Sequence, residues 1–200
     1  MNQYLLKSGL LDRQRKLILT ADYLEFENKD LKGHEFTRLD KADIADFKHG
    51  MDWLVWYKFT VGQQFSITFK DKRNKELRIV FKTYFGSKEY YQMYSDIVDD
   101  IWNYYHREIV NHYLDKFYNS DELVLQGLKI NQQGIQLRGQ NSTLPWERIS
   151  MKEYVRYFAI YDRENPEVHS RVSYNEYETE ILWGMTKSIL NHKTNTQDKL

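Results

Sequence analysis

A long stretch with neither proline nor glycine, from Ser87 to Phe117, constrains the architecture of this chain more than any other segment. Its apolar residues recur at the spacing of three and four that marks the buried face of a helix. The first stripe consists of Tyr90, Met93, Tyr94, Ile97, Ile101, Tyr104 and Tyr105. The second stripe consists of Ile109, Val110, Tyr113, Leu114 and Phe117.

The two stripes lie on different sides of the helix. At about 100° per residue, the centre of the second is roughly 150° round the helix from the first. One helix of about 45 Å is therefore expected to serve two hydrophobic cores on opposite flanks. We predict two domains, residues 1–118, ending in a long helix over 87–117, and residues 119–200.

The first domain is predicted to contain seven antiparallel strands before the helix. Alternation of apolar and polar residues is clearest between Trp53 and Phe81, and it indicates a sheet with one packed and one wet face. Turns are expected at Gly62-Gln63 and Lys72-Arg73-Asn74. The predicted strands cover residues 17–19, 23–26, 36–39, 44–48, 53–61, 65–70 and 77–81.

The second domain is predicted to be a shorter version of the first. In one interpretation it lacks one of the strands. Its predicted strands cover residues 128–130, 135–137, 144–146, 149–155, 157–161 and 168–174. A closing helix over 175–191 is expected to begin at Asn175, with Glu178 as a capping-box partner and a polar tail behind it. Glu147 and Arg148 are expected to form a surface ion pair of little energetic weight. Residues 17–26 align without gaps on 128–137, which favours an internal repeat over coincidence.

The Gly134-Ile135-Gln136-Leu137 strand and the run Leu144-Pro145-Trp146-Glu147-Arg148-Ile149 carry a family resemblance. Together with strands closed by a C-terminal helix, they resemble the bacterial members of the pleckstrin-homology-like superfold, of the PH-like and GRAM type. The resemblance implies an α+β protein with two antiparallel β-barrels or sandwiches, each closed by a C-terminal helix and joined by one long helix. It says little about activity, because the superfold hosts many binding roles.

Composition and charge exclude several classes of function. Twenty-nine Lys and Arg balance 29 Asp and Glu, so no global field attracts DNA, RNA or an anionic membrane, and nucleic-acid binding is disfavoured. The sequence has no cysteine, which excludes disulfides and thiolate metal sites. Neither a signal peptide nor an apolar run of about 18 residues is found, so we expect a cytoplasmic protein.

Catalytic motifs are equally scarce. The sequence contains no glycine-rich phosphate loop, no His-Glu-x-x-His and no Gly-x-Ser-x-Gly. His106 and His112 do not share a helical face, so we expect them on the polar side or the boundary of the helix. Asp96, Asp99 and Asp100 fit a solvated helix face better than a cation site. We therefore expect no enzyme activity, no cofactor and no metal.

A basic turn is one candidate binding site. Lys70, Lys72, Arg73 and Lys75 cluster between two strands and could attract an anion or a lipid headgroup weakly, although a solvated hairpin tip also explains them. Lipid-binding PH domains carry basic residues in the loop between their first two strands. The loop assigned to that place, Thr20-Ala21-Asp22, has none, and Asn131-Gln132-Gln133 is equally bare.

Leu54 and Trp56 form a second candidate site. Trp53, Val55 and Tyr57 continue the core-facing register of Phe59 and Val61, which leaves Leu54 and Trp56 on the face where Lys58 points to water. Two large apolar groups on a wet face indicate cover by the other module, by the loop around Met51 or by a partner chain.

These observations favour a protein-interaction or scaffold module with a protein partner or self-association. A peripheral module that binds anionic lipid through the Lys70–Lys75 turn is the alternative.

Overall fold

The computed structural model describes residues 1–29, 35–84, 87–119 and 122–197, without the side chains of Ser87 and residues 194–197. The protein is α+β and is built mostly from antiparallel sheets. The chain divides into two compact units, Met1–Arg107 and Glu108–Leu200, so the division falls inside the long helix.

The first unit has a four-stranded and a three-stranded sheet, each an antiparallel meander in chain order. A short 3-10 turn, Lys41–Asp43, connects the two sheets. The strands are β1 (Asn2–Lys7), β2 (Gln14–Leu19), β3 (Tyr23–Glu27), β4 (Phe36–Asp40), β5 (Ile44–Trp56), β6 (Phe59–Asp71) and β7 (Glu76–Thr83).

Seven strands were predicted, and the described part of this unit has seven. The two sets differ in two places. Strand β1 was not predicted because its apolar residues are adjacent in sequence and do not alternate with polar ones. In the structure Leu6 is buried and Leu5 is exposed. The strand predicted over 53–61 is wrong. Its first half ends β5, its second half begins β6, and the chain reverses at Tyr57-Lys58.

Gly62 lies inside β6 and not in the predicted turn. Its neighbour Thr83 on β7 explains the glycine, since an added Cβ would lie 2.2 Å from the Thr83 carbonyl oxygen. Gly134 in the second unit is the same kind of position, with the Leu144 carbonyl oxygen 1.9 Å from an added Cβ. Both glycines therefore permit close approach of two backbones.

The second unit repeats the order of the first: a four-stranded meander, a 3-10 turn (Trp146–Arg148), a three-stranded meander and a helix. The interpretation that this unit is one strand short is wrong. Its described residues form seven strands, and the first of them, the short β8, was not predicted. The strands are β8 (Leu123–Leu125), β9 (Leu128–Asn131), β10 (Gly134–Gln136), β11 (Leu144–Pro145), β12 (Ile149–Glu153), β13 (Tyr157–Asp162) and β14 (His169–Ser173).

The closing helix of the second unit, α3, spans Thr179–Gln197. It begins later than the predicted position at Asn175, and the capping box with Glu178 does not form. Glu178 instead adopts a positive φ of 66°, and the Thr179 hydroxyl donates to the Ser173 carbonyl at 2.8 Å. The helix continues through residues 191–197, where a polar tail was expected, while residues 198–200 lie outside the described residues.

The long helix consists of α1 (Ser87–Ile101), a π-helical turn (Trp102–His106) and α2 (Arg107–Tyr118). The π turn lies where the apolar stripe changes face. Its hydrogen bonds span five residues instead of four, so it inserts a residue into the helical repeat. The angle of roughly 150° that holds for an unbroken α-helix therefore does not apply across this turn.

Each half of the long helix completes the core of its own unit. In the first unit Ile97 and Ile101 are fully buried, and the Tyr94 ring packs against Phe65 at a centroid distance of 5.0 Å. In the second unit Phe117 is buried and contacts Trp146 edge-to-face at 5.7 Å.

Two single-residue deletions test whether the π turn contains an inserted residue that the rest of the helix lacks. Deleting the exposed Asn103 removes the inserted residue and keeps the phase of both apolar stripes, so we expect a small loss of stability. Deleting the exposed Asn111 turns the following residues, including Phe117, by about 100° and should cost more than about 4 kcal/mol. Urea unfolding followed by circular dichroism measures both. Equal losses for the two deletions would contradict this role of the π turn.

Candidate functional site

The most exposed apolar cluster in the described chain is the tip of the β5–β6 hairpin. The hairpin tip consists of Trp53, Val55, Trp56, Tyr57 and Phe59, which are 51%, 63%, 73%, 92% and 73% exposed. Strands β5 and β6 pair along most of their length, and the tip lies at the end where Trp56 pairs with Phe59. Such a concentration of exposed rings is unusual on a protein surface.

The sequence-based assignment of faces in this segment was wrong. Trp53, Val55, Tyr57 and Phe59 were expected to face the core, and all four are exposed. Leu54, expected on the wet face, is half-buried. The pairing register shifts between Leu54 and Val55, so strict alternation fails there. Trp56 is exposed in the described residues, and its predicted role in partner binding stays a prediction.

The turn of the hairpin holds an unfavourable backbone conformation. Tyr57 has a φ of 61°, in the left-handed region that a bulky side chain rarely adopts. Two-residue hairpin loops often require positive φ at this position, where glycine is the usual residue. The sequence therefore keeps a large aromatic side chain at the most exposed position of the tip against a conformational cost.

The basic turn lies between β6 and β7. Its backbone is already satisfied from within: an Asp71 carboxylate oxygen accepts from the amides of Arg73 at 2.8 Å and Lys75 at 2.7 Å. The Lys72 amide donates to the Asp43 carbonyl at 2.9 Å. Lys72, Arg73 and Lys75 are exposed, whereas Lys70 is half-buried and pairs in register with Glu76.

The two predicted sites are at opposite ends of strand β6. Phe59 begins the strand and Lys70 lies near its end, so they are about 37 Å apart along the backbone at the usual rise per residue. The structure therefore does not bring Leu54 and Trp56 together with the basic turn, and one small ligand cannot contact both.

The prediction that Thr20-Ala21-Asp22 lies between the first two strands is wrong. This loop connects β2 and β3, and the connection between β1 and β2 covers residues 8–13. In that loop Leu11 is 98% exposed, and the Arg13 guanidinium pairs with Glu27 at 2.6 Å.

Asp96, Asp99 and Asp100 of α1 line a depression with residues of strand β1. Asp100 Oδ2 accepts from the Tyr4 hydroxyl at 2.5 Å and from Asn2 Nδ2 at 2.7 Å. Partial burial, together with the charges of Asp96 and Asp100, raises the pKa of the Asp99 carboxyl. Within the described residues, no group of three or more His, Asp or Glu side chains is arranged to hold a metal ion.

His106 is not the boundary residue that the sequence predicted. Its side chain is fully buried in the first unit, and its ring meets Phe47 and Trp102 edge-to-face, each at a centroid distance of 4.9 Å. His112 is exposed on α2. The π turn places His106 in the core, which a regular α-helical projection could not anticipate.

The predicted Glu147–Arg148 pair is also corrected. Arg148 binds the buried carboxylate of Asp162 through two nitrogens, with Nε at 3.2 Å from Oδ1, and contacts the exposed Glu164 at 3.1 Å. Glu147 instead pairs with Lys193 at 3.4 Å. The Arg148 guanidinium lowers the pKa of the Asp162 carboxyl, and the Glu164 amide adds to the effect.

A cavity that the sequence did not predict lies on the outer face of the β12–β13–β14 sheet. It has a volume of about 330 Å³ and is open to solvent. We call it the tyrosine cavity. Its lining consists of Lys152, Tyr154, Tyr157, Ala159, Tyr161, Pro166, His169 and Arg171. The sequence shows the alternation along β13. It does not show that tyrosines and cations from three strands lie together, because that depends on the register in which the strands pair.

Comparison with protein families, curated proteins and solved structures finds no match for this chain. None of the described helices is both long enough and apolar enough to cross a membrane.

The Arg148–Asp162 pair gives a pH-dependent prediction. A carboxyl whose pKa is lowered by folding stabilises the fold above its unfolded pKa of about 3.9, and the contribution is lost as the pH falls through the folded value. Asp162→Asn should therefore lower the melting temperature at pH 7, and the gap from wild type should shrink in strong acid. The exposed neighbour provides the control, since Glu164→Gln should change little. A gap that stays constant with pH would refute this assignment.

Proposed function

We propose that the chain carries two pleckstrin-homology-like domains in tandem and acts as a non-enzymatic protein-interaction or scaffold module. The common order of elements in the two units supports the tandem arrangement: four strands, a 3-10 turn, three strands and a helix.

The hairpin tip is the observation that carries the interaction function. It exposes two tryptophans, a tyrosine and a phenylalanine next to one another in sequence and across the closing strand pair. Tryptophan and tyrosine supply much of the binding energy at protein interfaces because one side chain buries a large area on docking. No described element of the first unit covers these rings. A bound partner would shield them from solvent.

The proposed docking surface can be tested with Trp56→Ala. If the partner is a second copy, sedimentation velocity should show a dimer at high concentration, and the variant should weaken it at least about tenfold, as truncation of a hot-spot tryptophan does. Tyr91→Ala is the matched control, because Tyr91 is an aromatic residue of the same unit that is 44% exposed. Circular dichroism checks that both variants are folded.

If the chain stays monomeric, a photo-cross-linkable benzophenone amino acid in place of Trp56 tests a different partner inside the native cells. The expected result is a discrete cross-linked protein that is absent when the same group replaces Tyr91. A monomer at every concentration, together with no cross-link specific to position 56, would contradict the proposal.

A peripheral membrane function is the alternative, and the exposed Lys72, Arg73 and Lys75 favour it. The Asp71 carboxylate beside them offsets part of their charge, so attraction to anionic lipid should be weak and sensitive to salt. Co-sedimentation with phosphatidylserine vesicles measures it. Binding that disappears in a Lys72→Glu/Arg73→Glu variant would support this alternative, and vesicle binding that the variant retains would exclude the basic turn.

A further inference from the structure

The tyrosine cavity is organised around one small residue. Ala159 at the middle of β13 pairs with Lys152 on β12 and with Arg171 on β14. Side chains directly opposite in neighbouring strands lie on the same face of the sheet. The alanine therefore forms a floor between two long cationic side chains, whose strands are about 10 Å apart.

Tyrosines close the other two sides of this floor. Tyr157 and Tyr161 are two residues before and after Ala159 on the same strand, so all three point to the same face. Their Cα atoms are about 13 Å apart at the usual rise per residue. The depression thus follows from the sequence of β13, which places alanine between tyrosines, and from the register with its neighbours.

The charge in the cavity is of one sign. No carboxylate is among the lining residues, and within the described part of the chain neither Lys152 nor Arg171 forms an ion pair. Glu153, next to Lys152 in sequence, belongs to the opposite face of the sheet, where it pairs with Lys187 of α3 at 3.3 Å. The cavity therefore offers two cations to an anionic ligand.

The aromatic rings hold these cations in place. Tyr154 and Tyr157 stack with centroids 4.6 Å apart and an interplanar angle of 20°. The Lys152 ammonium lies 5.4 Å from the Tyr154 ring centroid, and the Arg171 guanidinium lies 5.7 Å from that of Tyr157. Such cation–π contacts restrict the long side chains before any ligand arrives, which lowers the entropy cost of binding.

We propose that the tyrosine cavity binds a small aromatic anion of mononucleotide size. Its phosphate would be bound by Lys152 and Arg171, and its planar ring would stack on the tyrosine side chains above the Ala159 floor. A volume of about 330 Å³ is at the small end of the range for ligand pockets, which favours one nucleotide over a dinucleotide. The equal numbers of acidic and basic residues disfavour a nucleic-acid polymer as the occupant.

The test uses the full chain and isothermal titration calorimetry with three probes: adenosine 5′-monophosphate, adenosine and inorganic phosphate. The nucleotide should bind at least about tenfold more tightly than either fragment, because a charge-assisted hydrogen bond alone is worth that factor. Arg171→Gln should weaken nucleotide binding by about the same factor. Lys129→Gln is the control, since Lys129 is an exposed cation of the same unit on the other sheet, and it should leave the affinity unchanged.

Ala159→Leu provides a second variant that retains both charges. A leucine on the floor fills the depression, so binding of the nucleotide should be lost while circular dichroism and melting temperature stay near wild type. Nucleotide affinity that both Arg171→Gln and Ala159→Leu leave intact would overturn the proposal, as would no heat of binding at millimolar nucleotide. A single-stranded oligonucleotide that binds far more tightly than the mononucleotide would overturn it in favour of a polymer.

Discussion

One helical segment supplies buried side chains to both compact units, and the cores of both depend on it. An isolated helix is marginally stable in water, so its order must come from the burial of its apolar stripes. Ile97 and Ile101 provide that burial in the first unit, and Val110 and Phe117 provide it in the second. The π turn at Trp102–His106 lies between the stripes and absorbs the change of phase within a continuous helix.

The many aromatic residues of this chain have two uses. Buried rings fill the cores, and in the first unit they include Phe47, Phe65, Phe69 and Phe81. A smaller set stays exposed in defined places. The hairpin tip results from strands that run beyond the region where rings are buried, and the tyrosine cavity results from an alanine between tyrosines. The first is an exposed apolar surface, for which we propose a protein partner, and the second is a cavity lined by two cations, for which we propose a small anion.

Long periodic segments were predictable from the sequence, and local exceptions were not. The helix and most strands follow from periods of 3.6 and 2. Strands β1 and β8 were missed because one lacks alternation and the other has three residues. The hairpin tip was assigned to the wrong faces because alternation alone does not reveal where a sheet leaves its core. His106 was misplaced because one π turn shifts the phase of a helical projection.

Ion pairs and cavities lie beyond sequence periodicity for a related reason. Arg148 and Asp162 meet because β12 and β13 pair in one register, and the same register assembles Lys152, Ala159 and Arg171. A shift of one residue would turn each of these side chains to the other face. Sequence patterns indicate which strands exist, but the register must be observed before such a site can be recognised.

The role of the shared helix is tested most directly by hydrogen exchange, measured by mass spectrometry on two single variants. Ile97→Ala and Phe117→Ala each remove a fully buried side chain and should cost about 2–5 kcal/mol in the unit concerned. We expect exchange in the core strands to rise mainly in the first unit for Ile97→Ala and mainly in the second for Phe117→Ala. Loosening of the same single unit by both variants would contradict it.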